Sequence, residues 1–162
     1  MNPWAAGGTR MDVRYINPFV EGVESVFTTM LNLRPKRNAV KISNGGGTGY
    51  ALTSLVGISG QLSGVVVLRF PSDTAVKLAA AMGLSVNQLD AQVVDAISEL
   101  VNMVGGFAKA KFDYDPPLQL GLPTVVEGTD YKVKYPTKSV WLEIPFECGA
   151  GQFTMEITFG SN

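Results

Sequence analysis

The stretch GQLSGVVVLRF, residues 60–70, has a counterpart further along the chain in GQFTMEITF, residues 151–159. Each stretch begins with a Gly-Gln pair, continues into residues that favour a strand, and follows an amphipathic helical pattern. Helices followed by antiparallel strands, without alternating βαβ units, predict an α+β fold. We therefore expect an antiparallel or mixed sheet of about six strands, with about three helices packed on one face and an internal pseudo-duplication.

Hydrophobic periodicity, together with capping and turn residues, predicts where these elements begin and end. The predicted helices run from Asn17, with Pro18 in the first turn, to about Pro35; from Ser72 or Asp73 to Met82, with Gly83 after it; and from Ser85 or Asn87 to about Lys111. Strand patterns cover residues 38–43, 49–59, 62–70, 118–126, 131–135, 140–147 and 152–159, the first two joined across an Asn44-Gly45 turn.

The composition indicates one compact domain. Of the 162 residues, 46% are hydrophobic and 17% are charged, which excludes a disordered chain. The formal net charge of −1 offers no electrostatic reason to bind nucleic acid or an anionic membrane surface. We predict a single domain over residues 11–162. Residues 1–10 lack the apolar region of a secretory signal and place proline and glycine ahead of a second methionine, Met11, so we interpret them as a leader or a cloning remnant.

Two residue types that often carry chemistry are scarce. The chain has no histidine, which excludes Ser-His-Asp and Cys-His nucleophile systems and every histidine-ligated zinc site. The single cysteine, Cys148, cannot form an internal disulfide, so a reducing, cytoplasmic setting is expected. Residues 42–68 contain no charged side chain, but glycine recurs through them, so they indicate sheet and not a membrane helix.

The long predicted helix has an unusual polar stripe. At about 100° per residue, Asp95, Glu99, Asn102 and Gly106 lie in line on one side. Asn is a poor helix former, and the Gly105-Gly106 pair costs roughly 0.8 to 1 kcal/mol per glycine relative to alanine. On periodicity alone, solvated carboxylates and glycines that admit a close neighbour remain the simpler interpretation. The opposite, apolar face is predicted to contain Val93, Val94, Ile97, Leu100, Val101, Val104, Phe107 and Ala108.

The order of residues on this helix resembles a known signature. The run Asp95-x-x-x-Glu99-x-x-Asn102, followed by MVGGFAKA, is similar to the signature helix of the CheC/CheX/FliY family of bacterial chemotaxis phosphatases. Further similar segments are 11–19, 120–128 and 144–146. The first predicted helix offers Glu21 and Glu24 in place of a Glu-x-x-Asn pair, so the chain resembles CheX, which has one such helix, more than CheC, which has two.

The resemblance implies a reaction and a set of site residues. Members of the family dephosphorylate the aspartyl-phosphate of the response regulator CheY. By resemblance, Asn102 would orient the attacking water and Glu99 would pair with the regulator's active-site lysine, while Asp95, Ser98 and Gly106 would contact the partner. The chain would need no cofactor of its own, because Mg²⁺ would be supplied by the phosphorylated regulator. The resemblance also implies a homodimer formed by sheet pairing, for which residues 140–142 are the predicted exposed edge.

Alternatives remain open at this point. A non-catalytic domain that binds a receiver, or a flagellar or chemotaxis adaptor, could keep the same helix without hydrolysis. The glycine-rich loop at residues 45–49 could cradle a phosphate through successive N–H groups, but it lacks the Gly-Lys-Ser/Thr ending of a Walker loop. A hairpin turn is the favoured interpretation of that loop.

Overall fold

The computed structural model describes residues 13–43, 49–129, 131–134 and 140–161. In this part of the chain, three helices and eight strands form an α+β domain. The predicted leader and most of the glycine-rich loop lie outside the described residues. The helices are α1 (Val13–Leu31), α2 (Ser72–Ala81) and α3 (Ala91–Lys111), and the strands are β1 (Lys36–Arg37), β2 (Lys41–Ser43), β3 (Leu52–Ser59), β4 (Leu62–Phe70), β5 (Gln119–Leu120), β6 (Thr124–Glu127), β7 (Trp141–Cys148) and β8 (Gly151–Ser161).

The strands form one antiparallel sheet built around two hairpins. Its order is β1-β7-β8-β4-β3-β5, with β2 also paired to β7 and β6 also paired to β3. The hairpins β3–β4 and β7–β8 meet at the centre, where Val66 lies opposite Ile157. Gly60 and Gly151, the first residues of the two similar stretches, have φ angles of +124° and +128°. Glycine adopts such angles readily, so the same backbone requirement explains the repeated Gly-Gln pair.

The three helices pack on one face of this sheet. Phe153 of β8 lies among three other rings, with centroid distances of 5.0 Å to Phe27, 5.6 Å to Phe70 and 5.1 Å to Phe146. Gly22 of α1 lets the two long helices approach closely, because a Cβ there would lie 2.9 Å from the backbone oxygen of Val104 in α3. Helix α3 is therefore packed against α1 and the sheet. This packing fixes the position of its outer face, the side turned away from both.

Helix boundaries differ from the predicted ones where packing or capping decides them. Helix α1 extends to Val13, ahead of the predicted start at Asn17, and contains Pro18 in its interior. The reason is packing: Ile16 is buried in the core and the ring of Tyr15 lies 5.7 Å from that of Phe159. Helix α1 ends at Leu31, where Asn32 has a positive φ and the Leu33 N–H donates a hydrogen bond to the Phe27 oxygen.

The caps of α2 and α3 were also predicted at the wrong residues. Helix α3 is capped by Asp90, whose carboxylate accepts a hydrogen bond from the Val93 N–H at 3.0 Å, and not by Ser85 or Asn87. Helix α2 has Pro71 as its N-cap, without a side-chain bond. The prediction for the end of α2 is confirmed, because Gly83 has a φ of +95°.

Strand pairing corrects the predicted first hairpin. Strand β2 does not pair with β3; it pairs with β7, Ile42 lying opposite Leu142. Strand β3 is occupied on one side by β4 and on the other by β5 and β6, so it has no free edge for β2. As a result Leu142 is paired on both sides, with Ile42 and with Ile157, and β2 covers the edge at Trp141, so the prediction that residues 140–142 form an exposed dimerisation edge is wrong.

The predicted strand regions after α3 are also shorter than expected. Residues 118–126 divide into β5 and β6, and the described residues 131–134 form no strand. The backbone oxygen of Tyr131 instead accepts a hydrogen bond from the Arg69 guanidinium. No helix within the described ranges is long and apolar enough to span a membrane.

Candidate functional site

The outer face of α3 carries the predicted polar stripe. Asp95, Glu99, Asn102 and Gly106 are all exposed, and Ser98 beside them is half-buried. These residues lie on one side of the helix, as the periodicity predicts. The opposite face is buried, although Val94 and Phe107 are only partly covered and Ala96 and Gly105 join the buried set.

The two adjacent glycines of α3 have different environments. A Cβ at Gly105 would lie 3.1 Å from a Cδ atom of Leu120, so this glycine lets β5 pack against the helix. A Cβ at Gly106 would meet nothing within 4 Å. The fold therefore explains Gly105, whereas Gly106 lowers helix propensity without any packing requirement from the described residues.

A shallow depression of about 200 Å³ lies directly beside Asn102. One wall comes from the segment that follows β5, where Leu122 is 84% exposed. Sequence reasoning noted residues 120–128 only as a similarity and did not place them at the site. This contact depends on the pairing of β5 with β3, so the residue pattern of α3 holds no signal for it. The depression is lined by Val56, Asn102, Gly105, Gly106, Lys109, Leu120, Gly121 and Leu122.

Charge is distributed unevenly along the outer face. The carboxylates of Asp95 and Glu99 lie in its first half, and Lys109 lies in the last turn. Such an arrangement suits a partner that presents a cation towards Glu99 and anionic groups towards the end of the helix. Among the described residues there is no group of three Asp, Glu or Cys side chains that could hold a metal ion.

A second polar cluster lies on the sheet face that points away from the helices. Arg69 and Glu156 form a buried ion pair with an Nε to Oε1 distance of 2.9 Å. The same guanidinium donates to the Thr53 hydroxyl at 3.0 Å and to the Tyr131 backbone oxygen at 2.7 Å. Burial raises the pKa of the Glu156 carboxyl, and the neighbouring Arg69 opposes this shift.

A cavity of about 390 Å³ lies on this side of the sheet, near the edge formed by β2. Its rim includes the ion pair of Lys41 and Glu143, with a 2.9 Å separation, and the hydroxyls of Tyr50 and Thr154, which lie 2.6 Å apart. These polar groups are paired with one another. Cys148 lies elsewhere, half-buried, with its Sγ 3.7 Å from the Gly151 oxygen, and is not part of the outer face of α3.

The fold and the exposed Glu-x-x-Asn helix together define a CheC-like protein. The structure superposes on a CheC-like superfamily protein from Shewanella sp. PV-4 with a TM-score of 0.83 and 26% identity, covering 93% of this chain and 100% of the other. The family model described as chemotaxis phosphatase CheX matches residues 52–147, which include Glu99 and Asn102. The chain belongs to this CheX family of phosphatases.

Two further relatives, one found by sequence and one by structure, are also similar to this chain. A protein of Thermotoga maritima described as CheY-P phosphatase CheX is 32% identical over 127 residues, which cover 76% of this chain and 82% of that protein. The CheX–CheY–BeF3–Mg²⁺ complex from Borrelia burgdorferi contains a chain with a TM-score of 0.69 and 20% identity. The match covers 93% of this chain and 98% of that one and supports the shared fold.

Proposed function

We propose that this protein hydrolyses the aspartyl-phosphate of a CheY-type response regulator by inserting the outer face of α3 into the regulator's active site. One observation carries the proposal: Glu99 and Asn102 are both exposed on one side of a helix that is packed against α1 and the sheet. The description of the Thermotoga maritima relative as a CheY-P phosphatase supports the choice of substrate.

Asn102 is the residue to which we assign the attacking water. Its carboxamide has one acceptor and one NH₂ donor, so it can hold a water molecule in a fixed orientation without changing protonation state. An acyl phosphate is already activated for in-line attack, and positioning is the main contribution that remains for the protein. This chemistry suits a chain without histidine.

Glu99 lies three residues before Asn102 and therefore on the same side of α3. We assign it an ion pair with the regulator's active-site lysine, which would set the register of the inserted helix and contribute charge complementarity. Asp95 and the half-buried Ser98 lie towards the start of the helix and would contact the rim of the partner. Gly106 would allow the partner's backbone to approach.

The Mg²⁺ ion of the reaction belongs, in this proposal, to the phosphorylated regulator. The outer face of α3 offers only two carboxylates, Asp95 and Glu99, and one of them is assigned to the partner's lysine. The Borrelia burgdorferi complex, which pairs CheX with CheY, BeF3 and Mg²⁺, supports this division of roles. When bound to the regulator, the ion offsets the charge of the phosphoryl oxygens.

The test follows loss of phosphoryl label from a panel of receiver proteins in the presence of this protein. Asn102→Ala should lower the turnover of the substrate by at least about a hundredfold, the loss typical of an essential positioning group. Its free energy of unfolding should stay within about 0.5 kcal/mol of wild type, because the site is exposed. Asn87→Ala, a change at another exposed asparagine, is the matched control and should leave turnover unaltered.

The competing function is a non-catalytic receiver-binding or adaptor domain. It predicts that the wild-type protein binds a phosphorylated receiver while the label stays in place. Unchanged turnover in Asn102→Ala would also contradict the assigned mechanism. A large loss of stability in that variant would show that the carboxamide has a structural role.

We also propose that the protein acts in the cytoplasm as a homodimer. Because β2 covers this edge of β7, we place the proposed contact on β2, where Ile42 is 69% exposed at an edge of the sheet. An exposed apolar edge strand favours pairing with a second copy. Light scattering at micromolar concentration should give twice the chain mass, and Ile42→Lys should reduce it to the monomer; a monomeric wild type would contradict the dimer.

A further inference from the structure

Leu122 is an exposed leucine with a defined position. It is 84% exposed, more than Met30 or Ile42 among the large hydrophobic side chains of the described ranges. A single exposed leucine is ordinary in itself. Here, however, the preceding backbone is anchored to β3, because Leu120 pairs with Ile58 and the Gly121 N–H donates to the Gly57 oxygen at 3.0 Å. The backbone that carries Leu122 is therefore held beside α3.

The depression between Leu122 and α3 is mostly apolar. Its lining includes the buried Val56 and the partly buried Leu120. Gly106 leaves its side open, since a Cβ at that position would meet no atom within 4 Å. Polar side chains are contributed by Asn102 and Lys109. A polar or charged occupant would find few hydrogen-bond partners in this lining, whereas an apolar side chain would lose contact with water at little cost.

We propose that this depression receives an apolar side chain of the phosphorylated receiver domain, with Leu122 packing over it, and that the contact determines affinity for the substrate protein. The inference rests on the proposed function, because the depression adjoins Asn102 and is therefore continuous with the inserted face. Filling it also excludes bulk water from the region around the carboxamide. Exclusion of water strengthens the neighbouring charge interactions, including the assigned contact of Glu99.

The test measures steady-state dephosphorylation and binding for Leu122→Ala. Truncation of an apolar contact at the centre of an interface should raise KM about tenfold, and kcat should stay within about twofold of wild type. Titration with a beryllofluoride-treated receiver should show the same loss in affinity. Met30→Ala is the matched control, because Met30 is 57% exposed on α1, and it should change neither quantity.

Leu122→Asp provides a second variant in case the alanine change is too mild. A carboxylate cannot bury in an apolar contact, so it should weaken binding more than alanine does. The inference is overturned if both variants bind and turn over like wild type. It is also overturned if they lower kcat without changing KM, or if they act by changing the oligomeric state measured by light scattering.

Asn102→Ala separates this inference from the proposed function. If Asn102→Ala abolishes turnover while Leu122→Ala keeps a normal KM, only the docking contact is wrong. If Asn102→Ala leaves turnover unchanged, the proposed function itself fails, whatever Leu122→Ala does. Both variants alter exposed positions, so their free energies of unfolding should stay close to that of wild type.

Discussion

The two polar clusters of this molecule lie on opposite sides of the sheet and differ in how their groups are satisfied. On the far face, Arg69 and Glu156 are buried and bind each other, with Thr53 as an additional partner. On the outer face of α3, Glu99 and Asn102 are exposed. Most buried polar groups are paired within the fold, whereas exposed ones on a rigid helix remain free for another molecule. The comparison separates polar residues that stabilise the chain from those that serve a partner.

The same comparison explains why charge alone does not mark the site. Glu21 and Glu24 are also exposed on α1, at the same spacing as Glu99 and Asn102. Neither of these two side chains is a carboxamide. Three residues after Glu24 comes the buried Phe27, whereas three residues after Asn102 comes Gly105. The amide and the adjoining depression distinguish α3.

The largest expected effect comes from breaking the buried pair. Arg69→Met leaves the carboxylate of Glu156 buried without its partner, which should lower the free energy of unfolding by about 3 to 5 kcal/mol. Urea unfolding measures this change. The rate of dephosphorylation per folded molecule should not change, because the pair lies on the sheet face away from α3.

Two variants test whether the loss arises from the unpaired charge. Arg69→Met combined with Glu156→Leu should recover much of the lost stability, since both charges are then removed. Lys41→Met breaks the partly exposed pair with Glu143 and should be far milder than Arg69→Met. A small loss of stability in Arg69→Met, or a loss of activity per folded molecule, would contradict the separation of the two clusters.

Removal of a single charge from the outer face should lower activity and not stability, the converse of what is expected for Arg69→Met. Glu99→Gln keeps the shape of the side chain but loses the assigned ion pair, so kcat/KM should fall about 10- to 100-fold, with a weaker dependence on salt. Glu21→Gln on α1 is the matched control and should leave kcat/KM as in wild type. Equal losses in the two variants would indicate a general charge effect and not a specific contact.

Local sequence patterns were sufficient to predict the elements that depend only on residues close together in the chain. The buried and exposed faces of α3, the β3–β4 and β7–β8 hairpins, and the positive φ at Gly83 all depend on residues close in sequence. The start of α1 could not be predicted in this way, because the burial of Ile16 against the sheet outweighed the capping signal of Asn17 and Pro18.

Long-range pairing accounts for the errors in the sheet and for the missed part of the site. The pairing of β2 with β7 depends on which strand edges are free, and the pattern of residues 38–43 does not contain that information. Likewise, Leu122 reaches α3 only because β5 pairs with β3. The polar stripe was found from sequence because it lies within one helix, whereas the depression beside it combines three separate segments.

The buried cluster should also give a pH-dependent stability. Burial raises the pKa of Glu156 above its ordinary value of 4.5, despite Arg69, and Glu143 on the adjacent strand adds to the shift. The folded state therefore binds this proton more tightly than the unfolded state. The stabilisation that comes from protonated Glu156 is complete below about pH 4.5 and is lost as the pH rises through the folded-state pKa of this carboxyl. In urea titrations from pH 4 upward, the free energy of unfolding of wild type minus that of Glu156→Gln should fall as pH rises. If the free energies of unfolding of wild type and Glu156→Gln change with pH in parallel, the raised pKa of Glu156 is contradicted.

The smallest expected effect distinguishes the two glycines of α3. Gly106→Ala should raise the free energy of unfolding by up to about 1 kcal/mol, because alanine is the better helix former and the added Cβ meets no atom within 4 Å. The same methyl group occupies the side of the depression beside Asn102, so affinity for the receiver should fall severalfold, about 1 kcal/mol by the relation of free energy to binding constant. Gly105→Ala should lack the stability gain, because its Cβ would lie 3.1 Å from Leu120. Thermal unfolding and receiver titration of both variants check this pair. If Gly106→Ala gains stability and keeps full affinity, the open space above this glycine is not part of the interface.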